Sequence, residues 1–338
     1  MGERIRVAID AMGGDVGIGV TIPAALDAIA HFDDLDLILV GDERLITEAL
    51  GERGAAPGER LQCAAATQVI AMDEAPAHAL RAKKDSSMRV AINLVRDERA
   101  QACVTAGNTG ALTAIARYVL RTLAGIDRPA ITTALPTVTG HTQMLDLGAN
   151  VDCKAEHLFQ FAVMGAVLAN AVDNLDNPRV GLLNIGQETI KGNDQVKEAD
   201  HQLRASSLNY IGYVEGDHIF EDCADVIVAD GFIGNVALKT SEGVARFISL
   251  AVEEAFRSNL LSKIAATVSM PVLKSIARTI DPRRYNGASL LGLQGVVIKS
   301  HGGADALAFR RAIDIARIEA VKQIPKLIDT RLEEILLN

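Results

Sequence analysis

Apolar and polar positions follow two rhythms along this chain. Short runs of mostly Val, Ile, Leu and Ala, at 6–9, 36–40, 102–105, 130–135, 144–147, 180–184, 225–229 and 296–299, read as buried β-strands. Between most of them, residues 21–32, 109–123, 155–171, 194–206, 236–257 and 304–320 carry the spacing of helices with one face turned to a core. This alternation predicts an α/β fold with a mostly parallel sheet flanked by helices. No internal repeat or low-complexity linker interrupts it, so residues 1–338 are expected to form a single α/β domain or two fused lobes. The turn-rich stretch 173–178 is the nearest thing to a boundary, and it serves equally well to part a helix from the next strand.

Residues 256–285 break the rhythm. Leu260, Leu261, Ile264, Val268, Met270, Val272, Leu273 and Ile276 are interleaved with Arg257, Lys263, Lys274, Arg278, Arg283 and Arg284. Pro271 is expected to divide the segment into two helical pieces, an amphipathic hairpin with apolar residues on one side and cations on the other. Such an element lies in an anionic membrane interface, receives an acidic partner, or buries its apolar face between two copies of the chain.

Composition narrows the field. The chain is 49% hydrophobic but only 4% aromatic, with no tryptophan, which suits buried parallel strands better than an aromatic recognition surface. A net charge of -9 argues against nucleic-acid binding, because phosphate neutralisation needs a broad basic surface. The four cysteines, Cys63, Cys103, Cys153 and Cys223, form no C-x-x-C pair, so neither a zinc knuckle nor a disulfide framework is indicated and a reducing cytoplasm is expected. The amino terminus lacks the apolar core of a signal peptide, and no stretch reads as a spanning helix, so a soluble or peripheral protein is expected.

The loops after the predicted strands share a chemistry. Asp10-Ala11-Met12-Gly13-Gly14-Asp15 follows the first strand, and its two glycines allow bare backbone to approach an anion ahead of a helix. It is not a dinucleotide fingerprint, since the G-x-G-x-x-G spacing is absent. Ala106-Gly107-Asn108-Thr109-Gly110, Asp146-Leu147-Gly148-Ala149-Asn150, Asn184-Ile185-Gly186, Asp230-Gly231-Phe232-Ile233-Gly234-Asn235 and Ser300-His301-Gly302-Gly303 close other strands. In a parallel sheet such loops collect at one rim, where a shared polar site is expected. No two of Asp10, Asp15, Asp146 and Asp230 share the spacing of a metal loop, so no metal is predicted.

Taken in order, the turn 10–15, Lys83-Lys84-Asp85-Ser86-Ser87-Met88, the loop 106–110, Asn184-Ile185-Gly186 with Lys191-Gly192-Asn193, and 229–235 resemble the phosphate acyltransferases of bacterial phospholipid synthesis, the PlsX family. The resemblance runs nearly the whole length. It implies an isocitrate/isopropylmalate dehydrogenase-like fold and a cytoplasmic, peripherally membrane-associated homodimer without a cofactor. It further implies transfer of a long-chain acyl group from acyl carrier protein to inorganic phosphate, the acyl phosphate passing to a membrane glycerol-3-phosphate acyltransferase. The competing expectations are a nicotinamide-dependent hydroxy-acid dehydrogenase of related fold and a noncatalytic membrane scaffold.

Phosphate attack on a thioester calls for positioning and oxyanion stabilisation rather than a Ser-His-Asp triad. Asn108, Thr109 and Gly110 are candidates for phosphate at a helix start, or else simply cap that helix. Lys191 is the first choice for a cationic contact, with a solvated loop lysine as the alternative. Asn184 and Asn235 offer amides to the acyl carbonyl or pantetheine, or bond within their own turns. Gly13, Gly14 and Gly231 offer backbone, Asp10, Asp15, Asp146 and Asp230 orient donors, and Lys84 with Arg81 and Lys83 offers positive charge at a helix start. His301 either protonates the leaving thiolate or bonds to backbone.

Overall fold

The computed structural model describes residues 4–336, except the side chains at 260, 274–280, 282, 284, 335 and 336. Its strands are β1 (Ile5–Asp10), β2 (Leu35–Gly41), β3 (Leu61–Ala65), β4 (Ala102–Thr105), β5 (Ala130–Pro136), β6 (His141–Leu145), β7 (Val180–Leu183), β8 (Tyr210–Val214), β9 (Val226–Val228), β10 (Ala288–Leu291) and β11 (Val296–Lys299). The helices are α1 (Ile18–His31), α2 (Glu43–Gly51), α3 (Pro76–Ala82), α4 (Ser87–Arg96), α5 (Thr109–Leu120), α6 (Ala155–Asp173), α7 (Asp194–Ala205), α8 (Gly231–Arg257), α9 (Leu260–Ile280), α10 (Ala306–Lys322) and α11 (Ile324–Leu336). The strands form one eleven-stranded sheet in the order β3-β2-β1-β4-β11-β10-β5-β6-β9-β7-β8.

Strand direction divides this sheet. β3, β2, β1, β4 and β11 are mutually parallel, as are β6, β9, β7 and β8. Between the two blocks, β11 to β10, β10 to β5 and β5 to β6 are all antiparallel pairs. Three reversals leave the blocks pointing in opposite directions. The carboxyl ends of β1, β4 and β11, a first rim, therefore face one way and those of β6, β9 and β7 the other, yet both sets end in one register row, Ile298–Ser289–Thr132–Leu145, at the middle of the sheet.

Burial on both faces explains the nearly continuous apolar strands. Along β1 and β2, Val7, Ile9, Leu37 and Leu39 enter one core with Ile22 and Ala25 of α1 and Phe309 and Ile313 of α10. Ala8, Ile38 and Val40 face a second core with Met88 and Ile92 of α4 and Leu112 and Ile115 of α5. A third core lies under the other block, where Phe161, Ala162 and Met164 of α6 meet Val226 and Val228. Contrary to the sequence expectation, α6 is long and apolar enough to cross a membrane by length and composition, yet more than half of its apolar window is buried inside the fold.

Two further expectations change. The stretch 173–178 simply joins α6 to β7, with Asn174 in a left-handed conformation ending the helix. Pro271 does not divide the 256–285 segment, because it lies inside an unbroken α9, and the turn comes earlier, at Ser258 and Asn259 between α8 and α9. Leu261, Ile264, Val268 and Val272 on α9, with Phe247 and Leu250 on α8, are exposed.

Candidate active site

The first rim is built around Asp10. At the end of β1 its carboxylate is buried, accepting the Gly13 amide at 3.1 Å and the Thr105 hydroxyl at 2.6 Å. Burial raises its pKa, opposed by hydrogen bonds from Ser87, Thr105, Met12 and Gly13. Thr105 Oγ1 also accepts the Gly107 amide at 2.9 Å, so one acid ties the β1 turn to the β4 loop. The turn must be glycine. A Cβ on Gly13 would lie 3.0 Å from the Gly107 nitrogen, and Gly14, at φ +91°, would set one 2.8 Å from the Ala106 methyl.

The β11 loop closes the same rim. Asp15, itself exposed, donates its amide to Gly302 O at 2.9 Å, and Ser300 donates to Thr105 O at 2.8 Å. His301 is exposed, and its Nδ1 accepts the Gly303 amide at 3.1 Å, which places the proton of a neutral ring on Nε2. Beneath these loops lies Lys299, which sequence reasoning passed over as the end of a strand. It is buried, its ammonium donating to Ala106 O at 3.2 Å and, in a short contact, to Ser300 O. Burial lowers its pKa to about 8, against the pull of Asp10 and Asp15 and with Lys239 of α8 adding to the depression.

Asn108 behaves as a cap. Its Oδ1 accepts the Ala111 amide at 2.9 Å and its Nδ2 donates to Met72 O at 2.8 Å and Glu74 O at 3.0 Å, so the side chain is committed to its own helix and the neighbouring loop. Thr109 and Gly110 are exposed in the first turn of α5, ahead of the capped amide. Lys84 is exposed between α3 and α4, whereas Lys83 donates to Val69 O at 3.2 Å.

The remaining candidates follow strands of the second block, which end in the same register row from the opposite direction. Asp146 is buried and accepts from the Ile131, Ala149 and Asn150 amides and from Asn150 Nδ2, at 2.8 to 3.0 Å. Burial raises its pKa against those bonds. Asp230 caps α8 through the Ile233 amide at 2.9 Å, Gly231 donates to Asn150 O at 2.8 Å, and Asn235 is exposed one turn along. Asn184 is buried with its amide on Gly186 O at 3.0 Å and Lys191 O at 3.4 Å, bonding within its own loop, and the Lys191 side chain is exposed. Asn184 and Lys191 follow β7, which is separated from β1, β4 and β11 by β10, β5, β6 and β9 in the sheet order. α8 starts beside Asn150 and, about 12 Å along its axis, brings Lys239 into the field of Lys299, so the loops of the two blocks approach each other there.

Lys263 and Ile264 are exposed on α9 and Leu273 is half-buried, while the side chains of Leu260, Lys274 and Arg278 lie outside the described residues. Among the described residues no three His, Cys, Asp or Glu side chains converge as a metal site requires. The first rim therefore offers backbone amides, one imidazole and a buried ammonium, a donor set for an anion.

A family model described as fatty acid synthesis protein matches residues 5–327. The chain belongs to this family. Among curated relatives of the chain, the phosphate acyltransferase of Alkalilimnicola ehrlichii is 59% identical, the match covering 99% of this chain and 98% of the relative. That of Nitrosococcus oceani is 58% identical over 97% of each. Among solved structures, a phosphotransacetylase from Streptococcus pyogenes shares the fold, with a TM-score of 0.62 at 15% identity over 95% of each chain.

Proposed function

We propose that the protein takes a long-chain fatty acyl group from the thioester of acyl carrier protein and passes it to inorganic phosphate, giving acyl phosphate for phospholipid synthesis. The carrying observation is the near-full-length identity with phosphate acyltransferases, which makes the chain an acyltransferase with phosphate as acceptor. The thioester of carrier protein as donor follows from the motif resemblance and from the cations on the 256–285 segment.

The chemistry suits the first rim. Phosphate is already anionic near neutral pH, so attack on a thioester carbonyl needs positioning and charge stabilisation more than a general base. The amino terminus of α5 at Thr109 and Gly110 and the bare backbone of Gly13 and Gly14 hold the anion. The carboxylates of Asp10 and Asp15 set the donors in place rather than touching it. His301, with its proton on Nε2, offers that N–H as a hydrogen bond to the departing pantetheine thiolate.

The sheet with its paired blocks is in keeping with an isocitrate/isopropylmalate dehydrogenase-like fold in a single domain. α8 and α9 make its projecting hairpin, whose exposed apolar side chains rest on a membrane surface while Lys263 and its neighbours face anionic headgroups or the acidic carrier. A cytoplasmic, peripherally membrane-associated homodimer would deliver acyl phosphate to the membrane glycerol-3-phosphate acyltransferase. Purified protein given acyl carrier protein thioester should release free thiol only when phosphate is present; no phosphate-dependent release would reject the function.

A further inference from the structure

Lys299 has no role in the mechanism above, and its surroundings are unusual for a structural lysine. A buried ammonium is costly unless paired with a counter-charge. Both hydrogen-bond partners of Lys299 are backbone carbonyls, Ala106 O and Ser300 O, and no ion pair holds it among the described residues. The nearby acid Asp10 spends its oxygens on Gly13, Thr105 and Ser87 instead. The two carbonyls belong to the two loops that, with the glycine turn, form the first rim. The ammonium therefore pins those loops from below and leaves a positive charge under an open, donor-rich surface, offset through space by Asp10 and Asp15 but with no carboxylate in direct ion-pair contact among the described residues.

We propose that Lys299 is a positioning residue for phosphate: it fixes the Ala106 and Ser300 loops, and its charge is balanced by the phosphate anion held above them. The inference rests on the phosphate-acceptor reading and assigns the site's cation to Lys299 rather than to Lys191. It separates two functions of one side chain, tying loops and supplying charge.

Charge loss follows pH. The groups facing Lys299 are Asp10 of β1, Asp15 of the turn and Lys239 of α8, and Cys103 of β4 senses the same Asp10, which with burial pushes its thiol well up. A lysine held at about 8 loses its charge as pH rises through that value, so phosphate affinity should fall there.

The experiment is steady-state kinetics of thiol release on the full chain, with Lys299→Gln and Lys299→Met. Gln can still donate to both carbonyls but carries no charge. Lys299→Gln should raise the KM for phosphate by about tenfold or more while moving the KM for the acyl donor and kcat far less. Between about pH 7.5 and 9 the wild-type KM for phosphate should climb, and the climb should be absent in Lys299→Gln. Lys299→Met should add a fall in kcat as the loops loosen. If Lys299→Gln binds phosphate like wild type, the charge is irrelevant and the proposal fails. Should neither variant fold, the wild-type profile alone decides, and a phosphate KM that stays level across that range overturns the proposal. Phosphate-independent behaviour of the wild-type enzyme would instead overturn the function itself.

Discussion

Burial sets the behaviour of single ionisable residues in this protein. Asp146 and Asp10 are buried acids surrounded by donors, whereas Glu319 of α10 is wholly buried and has one identified donor, the Ser289 hydroxyl. Burial raises the Glu319 pKa from 4.5 to about 7, so the folded chain holds the proton over a range in which the unfolded chain has lost it. Its contribution to stability is thus full below pH 4.5 and is lost as pH rises through about 7. A shift of this size corresponds to roughly 3 kcal/mol. Glu319→Gln should therefore gain on wild type by about that amount between pH 4.5 and 7.5 in urea unfolding, and identical pH dependence in the two proteins would contradict this reading. At this scale the glycine turn at 13 and 14 is legible in the sequence because its type and position are local. Lys299 is not, since a lysine closing a strand looks solvated until the Ala106 and Ser300 carbonyls are seen above it.

At the scale of elements, strands rich in β-branched and aliphatic residues announce themselves, and those that do not are the short and marginal ones. β3, at Leu61–Ala65, is a partly exposed edge with alanines and a glutamine. β8 carries Gly212 at φ +98° next to a register shift, and β10 is a four-residue antiparallel insert containing Ser289. α9 misleads in the other direction, because Pro271 sits within a helix that continues past it. The exposed faces of α8 and α9 carry the membrane proposal. Replacing Leu261 and Val268 by Asp should abolish sedimentation with anionic vesicles while thiol release in solution persists. Unchanged sedimentation would move the membrane contact elsewhere, and a change from dimer to monomer would assign the face to self-association.

Over the whole molecule, the fold class follows from strand–helix alternation, but the site does not, because strand direction is a property of pairing rather than of any one segment. The antiparallel steps through β10 and β5 turn half the sheet around, so the Asp146, Asn184 and Asp230 loops reach the row where β1, β4 and β11 end from the opposite direction. The loops of the first block bring Asp10, Gly13 and Gly14 together with Thr109, Gly110, Lys299 and His301, a surface of amides and positive charge suited to one acceptor. The decisive measurement follows the acceptor's own atoms. With heavy-oxygen-labelled phosphate and acyl carrier protein thioester, mass spectrometry should find acyl phosphate carrying all the phosphate label in step with thiol release. Thiol released with unlabelled fatty acid as the only acyl product would mean water, not phosphate, takes the acyl group.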